Sequence, residues 1–177
     1  RADLDPSKNP QVVIVDGAFG GQDAITWTNP ASVNWAMVIT QRLVAAGVTT
    51  NQVEALWLKQ ALVAPHNYGA FPAHAQALQG YLATILRIAK TKYPNLKLCY
   101  FSCRTRSYDT NAPDLNPEPF AFETAFADKW VIEDQINGVN NLNFNPSNGP
   151  VVAPWLSWGP YIWADGLAPR SDGFVWL

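Results

Sequence analysis

Charge is scarce in this sequence, at 15% Asp, Glu, Lys and Arg, and neither sign dominates: 12 basic residues face 14 acidic ones, for a formal net charge of −2. A nucleic-acid-binding surface needs a basic stripe or patch to neutralise phosphates, so no nucleic-acid partner is expected. The densest basic stretch, Arg87, Lys90, Lys92 and Lys97 with Arg104 and Arg106 beyond, mixes a helix face with a strand end and reads as solvated surface. No run of roughly 18 apolar residues occurs, which excludes a membrane-spanning helix. Cysteine and histidine are limited to two each. Cys99 and Cys103 fall in one predicted strand, where four residues at ~3.3 Å each set their Cα atoms about 13 Å apart. A disulfide tolerates less than about 7 Å, so the two read as small buried side chains that do not pair with each other. His66 and His74 lack the i,i+4 spacing that gathers two imidazoles on one metal, and no carboxylate cluster lies near them in the sequence. No metal and no other cofactor is expected.

What the chain does have is apolar bulk: 48% hydrophobic residues, eight of them tryptophan, in 177 positions. That length fits one domain over 1–177, large enough to bury about 70% of its unfolded surface without a disulfide or a structural metal. Gln11 to Asp16 (QVVIVD) is a β-branched run ending in a glycine-rich loop and predicts a buried strand. Asn29-Pro30 then opens a helix whose Trp35, Val38, Ile39, Leu43 and Ala46 recur at helical spacing until Gly47. A second strand is expected within Val53 to Val63 and a second helix from Pro72 to Tyr93, with Leu78, Leu82, Ile85, Leu86 and Ala89 as its apolar stripe. A third strand is expected at Leu96 to Ser102. Beyond an irregular stretch through Pro113, a third helix runs from Asn116 to Ile136, and a fourth strand covers Val151 to Trp155, with Pro154 at its end. Alternating strands and helices imply an α/β fold with a parallel sheet covered on both faces.

In an open parallel sheet, ligands sit beyond the carboxyl ends of the strands. The loops there, 16–29, 59–72, 103–116 and 156–172, carry Trp27, His66, Tyr68, Arg104, Tyr108, Trp158 and Trp163. Flat aromatic faces stack on the C–H faces of sugars, and nearby charged groups satisfy hydroxyls, so these seven are the candidate substrate-binding residues. Loop packing would also account for them.

Several catalytic patterns are absent. None of the serines, at 7, 32, 102, 107, 147, 157 and 171, stands in Gly-x-Ser-x-Gly, the nucleophile elbow of α/β-hydrolases. Gly17-x-x-Gly20-Gly21 lacks the GxGxxG spacing of a dinucleotide loop, and no phosphate loop ends in Gly-Lys-Ser/Thr. Glu118, in the first turn of its predicted helix, is explained by capping as well as by catalysis.

In their order and spacing, VVIVDGAFGGQDA (12–24), QVEALWLKQALVAP (52–65), YPNLKLCYFSCRTRSY (93–108), NPEPFAFETAFADKW (116–130) and WLSWGPYIWADG (155–166) resemble the SGNH/GDSL hydrolase superfamily, within it a bacterial group. The resemblance implies a flavodoxin-like three-layer sandwich and ester hydrolysis by a serine with an Asp-x-x-His, on a small-molecule or acylated-carbohydrate ester. Gly21, with Gly20 as the other choice, matches the glycine whose N–H helps form the oxyanion hole. Where the family has Gly-x-Asn, this chain has Trp57-Leu58-Lys59-Gln60, so Lys59 or Gln60 would donate instead. No GDS-like serine precedes the 11–16 strand, and Asp165-Gly166-Leu167-Ala168 and Asp172-Gly173-Phe174-Val175 lack the histidine. The resemblance therefore implies that the first strand with its nucleophile, and the C-terminal Asp-x-x-His, lie outside residues 1–177, and that this chain alone is inactive as an esterase.

Two other readings stand beside this one. The scaffold serves as a non-catalytic carbohydrate-binding or structural protein, or its missing strand is supplied by self-association or a complementing segment, since unpaired inner edges invite pairing. Arg1 in place of methionine and the apolar ending Phe174 to Leu177 make both ends read as cut. A removed signal peptide would explain the first and favours a secreted or periplasmic location, while proteolysis would explain both.

Overall fold

The computed structural model describes residues 4–108 and 116–176. Residues 109–115, most of the expected irregular stretch before the third helix, lie outside them. The fold is α/β. Its sheet has three parallel strands, β1 (Ala55–Leu58), β2 (Leu98–Phe101) and β3 (Trp155–Trp158), in the order β1-β2-β3. Leu58 stands abreast of Phe101, and Phe101 of Trp158. Helix α3 (Ala73–Lys92) connects β1 to β2, and α4 (Phe120–Ile136) connects β2 to β3. With strands in sequential order, right-handed crossovers bring both connecting helices to one face of the sheet, and α3 and α4 pack against each other there.

Both long helices form where they are expected, α3 from its apolar periodicity and α4 from its proline opening and the glycine that follows it. The buried face of α3 is His74, Ala75, Leu78, Leu82, Ile85, Leu86 and Ala89, the expected stripe extended by one turn. Lys90 closes its end by donating to the carbonyls of Pro94 and Leu96, and cations near a helix C-terminus complement its dipole. Period two governs the strands: Leu58, Cys99, Phe101 and Leu156 face the helices and are buried. Trp57, Tyr100 and Trp155 point the other way and are exposed. Among the described residues no helix covers that second face, so only the one-sided part of the expected sandwich is present.

The N-terminal third departs most from expectation. Gln11–Asp16 forms no strand, and Val12, Val13 and Ile14 are 47%, 53% and 48% exposed. β-Branched residues favour extended backbone, but a strand also needs a neighbour for its backbone N–H and C=O groups, and this segment pairs with none of the three strands. A short α1 (Ala24–Trp27) precedes the helix expected from Pro30 to Gly47, which is helical from 33 to 45 as α2 (Val33–Met37) running into a π-helical segment at Val38–Leu43. Ser32, not Asn29, caps α2 by accepting from the Asn34 N–H. The fourth strand starts four residues later than expected, since Pro154 precedes it. Proline has no N–H to give a ladder, so pairing begins at Trp155, whose N–H donates to Lys97 O.

Cys99 and Cys103 are free and buried, in agreement with the spacing argument. Beneath the sheet, Asp128 on α4 is buried with its Oδ2 unpartnered, and burial pushes its carboxyl well above the usual range. A carboxyl with a raised folded-state pKa contributes full stability below its unfolded pKa and loses it as pH rises toward the folded value. Asp128→Asn is therefore expected to raise the thermal midpoint at pH 7 and to leave it unchanged near pH 3. A pH series of melting curves checks this, and an equal shift at both pH values would refute the charge argument.

Candidate functional site

Beyond the carboxyl ends of the strands the backbone stays tightly joined. Ser102 N donates to Leu58 O at 3.0 Å and Gly159 N to Phe101 O at 2.6 Å, continuing the ladders past the strands themselves. A Cβ on Gly159 would stand 2.8 Å from Phe101 O and 3.1 Å from Ser102 Oγ. No side chain fits there, so glycine is required where β3 closes against β2.

This closure positions an exposed tryptophan. Trp57 is 64% exposed, yet its indole Nε1–H donates to Ser102 Oγ at 2.9 Å, and the Ser102 hydroxyl donates to Pro160 O at 2.7 Å. Ser102 itself is only 1% exposed. Trp57, Tyr100, Trp158, Gly159 and Pro160 together line a shallow, almost wholly apolar cleft of about 440 Å³. Trp158 is fixed edge-on against Tyr161, ring centres 6.4 Å apart.

The cleft has a cationic neighbour. Lys59 follows β1 two residues beyond Trp57, and partial desolvation first, then the Arg104 charge, hold its pKa below the usual lysine value. Arg104 is anchored through its backbone N–H on Thr124 Oγ1 at 2.9 Å, and its Nε is shielded from water without a protein acceptor. Among the described residues neither cation has a carboxylate within ion-pair distance, whereas Arg106 pairs with Asp165 and Arg170 with Asp172.

The other sequence candidates are dispersed. Trp27 is a core residue, 7% exposed, edge-on to Trp35 with ring centres 4.8 Å apart, and its carbonyl accepts the Trp35 indole N–H. It offers no face to a ligand. Trp163 donates its indole N–H to Glu118 Oε1, which also accepts from the Ser107 N–H. Tyr108 donates its hydroxyl to Trp176 O. Tyr68 packs edge-on to Tyr81, and desolvation, with a Tyr81 hydrogen bond, pushes its pKa up to about 12. His66 is exposed on the 3-10 turn Pro65–Tyr68. Trp158 alone of the seven lines the aromatic cleft, with Arg104 beside its cationic neighbour.

Gly20 and Gly21 are exposed, and Gly21 has φ +72°, a left-handed turn that glycine adopts freely. The segment after them is tied to the chain beyond β1, because Ala24 N donates to Ala61 O and Val63 N to Asp23 Oδ2. Gly21 and Gln60 thus lie on adjoining loops. No serine hydroxyl among the described residues hydrogen-bonds a histidine. Ser102 is committed to Trp57 and Pro160, and His74 is buried beneath, its Nδ1 3.2 Å from Glu123 Oε2. Burial holds His74 down to about 4, so it is neutral at pH 7, and burial first, then the Glu118 charge, raises the Glu123 carboxyl it touches. This His-Glu contact spans α3 and α4 and is invisible to a reading of local sequence. Among the described residues no group of three His, Cys, Asp or Glu could hold a metal ion, and no helix is long and apolar enough to cross a membrane.

Trp57, Tyr100, Gly159 and Pro160 were not singled out by sequence, although parity along each strand puts Trp57 and Tyr100 on one face. Compared with known proteins, the chain matches no family model, no curated protein and no solved structure.

Proposed function

We propose that this chain binds carbohydrate, without cleaving it, through the cleft of Trp57, Tyr100 and Trp158. The observation that carries the proposal is the tethered Trp57: a large ring left 64% exposed while its only polar atom is hydrogen-bonded to a buried serine. A ring fixed in water is suited to stacking on the C–H face of a sugar, and its apolar neighbours exclude water from the contact. The flavodoxin-like, SGNH-type scaffold implied by the sequence resemblance is retained as the framework, supported by the sequential parallel strands and their helical crossovers. Ester hydrolysis on that scaffold needs a nucleophile and base that the described residues do not assemble, so binding is the reading the geometry favours.

Titration with a panel of neutral and acidic oligosaccharides tests it, read by tryptophan fluorescence and calorimetry. The expected result is saturable binding of at least one member, with Kd on the order of 10 μM to 1 mM. Absence of binding across the whole panel would overturn the proposal.

A further inference from the structure

We infer that the glycan seated in this cleft is acidic, its carboxylate or sulfate group held by Lys59 and Arg104 while a sugar ring stacks on Trp57. The inference rests on the carbohydrate-binding proposal above and adds the class of ligand. Its geometry follows from the strand. Residues two apart on a strand share a face and lie about 6–7 Å apart along it, so Lys59 extends the row that Trp57 belongs to. The Ser102 N–H to Leu58 O bond carries the ladder one step past β1 and sets Lys59 abreast of Ser102, the residue that anchors Trp57. Arg104 lies two residues further along the neighbouring chain, its backbone pinned to α4.

Among the described residues Lys8, Arg42, Arg87, Lys90 and Lys92 also lack a carboxylate partner; what sets Lys59 and Arg104 apart is that they follow the strands of the Trp57 face and lie within each other's field. Lys97 is matched with Glu54, Arg106 with Asp165, Lys129 with Glu133 and Arg170 with Asp172. Lys59 and Arg104 have no such partner among the described residues and lie near enough for the Arg104 charge to disfavour the Lys59 ammonium. Two neighbouring like charges raise each other's energy, and an anion placed between them relieves both. The partly buried guanidinium also keeps an unmet donor in Nε, and guanidinium forks suit planar oxyanions. The chain as a whole is slightly acidic, so a generic basic surface does not explain the pair.

The test compares three oligomers with the same β-1,4-linked glucose backbone: the neutral cello-oligosaccharide, its C6-oxidised glucuronate counterpart, and a C6-sulfated one. Stacking faces are common to all three and charge alone differs. Calorimetry should show one or both acidic oligomers binding about tenfold more tightly than the neutral one. Which anion gains more separates carboxylate from sulfate as the natural group. Lys59→Gln and Arg104→Gln should each remove about threefold of that preference, and the double variant should abolish it. Higher salt should shrink the preference. Circular dichroism checks that the variants keep their fold. Equal affinities for neutral and acidic oligomers would overturn the inference while leaving carbohydrate binding intact. A preference surviving the double variant would also overturn it, by placing the anion elsewhere. Binding of none of the three or of any panel sugar would remove the functional proposal, and this inference with it.

Discussion

Trp57→Ala is expected to leave the chain folded and to weaken oligosaccharide binding at least about thirtyfold, the effect of losing an interface anchor worth ~2 kcal/mol or more. The two halves of that expectation have one cause. A ring that is 64% exposed in the free protein contributes little burial to folding, so truncation forfeits little stability. In the proposed complex the same ring would be the most exposed aromatic side chain of the cleft. Loss of the indole N–H leaves Ser102 with its bond to Pro160 O, so the serine stays partnered. Calorimetric titration gives the affinity and a denaturant curve the stability, with Leu167→Ala, an exposed residue outside the cleft, as a control. An affinity unchanged in Trp57→Ala would show that the ligand sits elsewhere.

Phe101→Ala is expected to do the opposite, costing about 3–5 kcal/mol of stability, the range for emptying a buried aromatic site. Phe101 is 0% exposed at the end of the central strand, within the cluster that includes Leu58, Leu82 and Leu156. Native domains are held by only about 5–15 kcal/mol, so this single change removes a large share of the total. Urea unfolding measures it from the shift in midpoint. A loss below about 1 kcal/mol would mean that the core collapses around the gap more completely than such cores do. Trp57 lies on the neighbouring strand, one register step away and on the other side of the sheet, so the two substitutions separate the proposed binding face from the folding face.

The contrast between those faces also explains what could be read from sequence. Of the two long helices, α3 was legible because its apolar stripe repeats along it, and α4 because prolines open it and Gly138 follows its end: α3 begins one residue from its expected start, and α4 ends at the expected Ile136. Strand existence was legible for β1 and β2, with the ends trimmed to four residues each. The 11–16 segment was not, because its β-branched composition speaks for extended backbone and says nothing about whether a neighbour supplies the ladder. The aromatic cleft was missed for a related reason. An alternating α/β pattern implies helices on both faces of a sheet, and under that assumption Trp57 and Tyr100 belong to the core. Only the placement of α3 and α4 on one side reveals them as surface. Trp27 erred in the other direction: its position in a loop suggested access, whereas the Trp35 ring and the α1 turn enclose it. The Trp57–Ser102–Pro160 chain joins residues 45 and 58 positions apart, a separation at which no local motif can speak.

That chain bears on the tempo of recognition as well as its strength. A free tryptophan side chain samples several rotamers and must settle into one before a ligand can rest on it, which slows productive encounters and adds an entropic cost to each. Trp57 gave up that freedom when the chain folded, because its indole is already bound to a residue inside the protein. If the cleft binds sugar as proposed, an arriving ring would displace water from a stationary plane and wait for no rearrangement. Association should then proceed in one step at a rate set by diffusion and orientation, and differences among ligands should reside in how long each one stays.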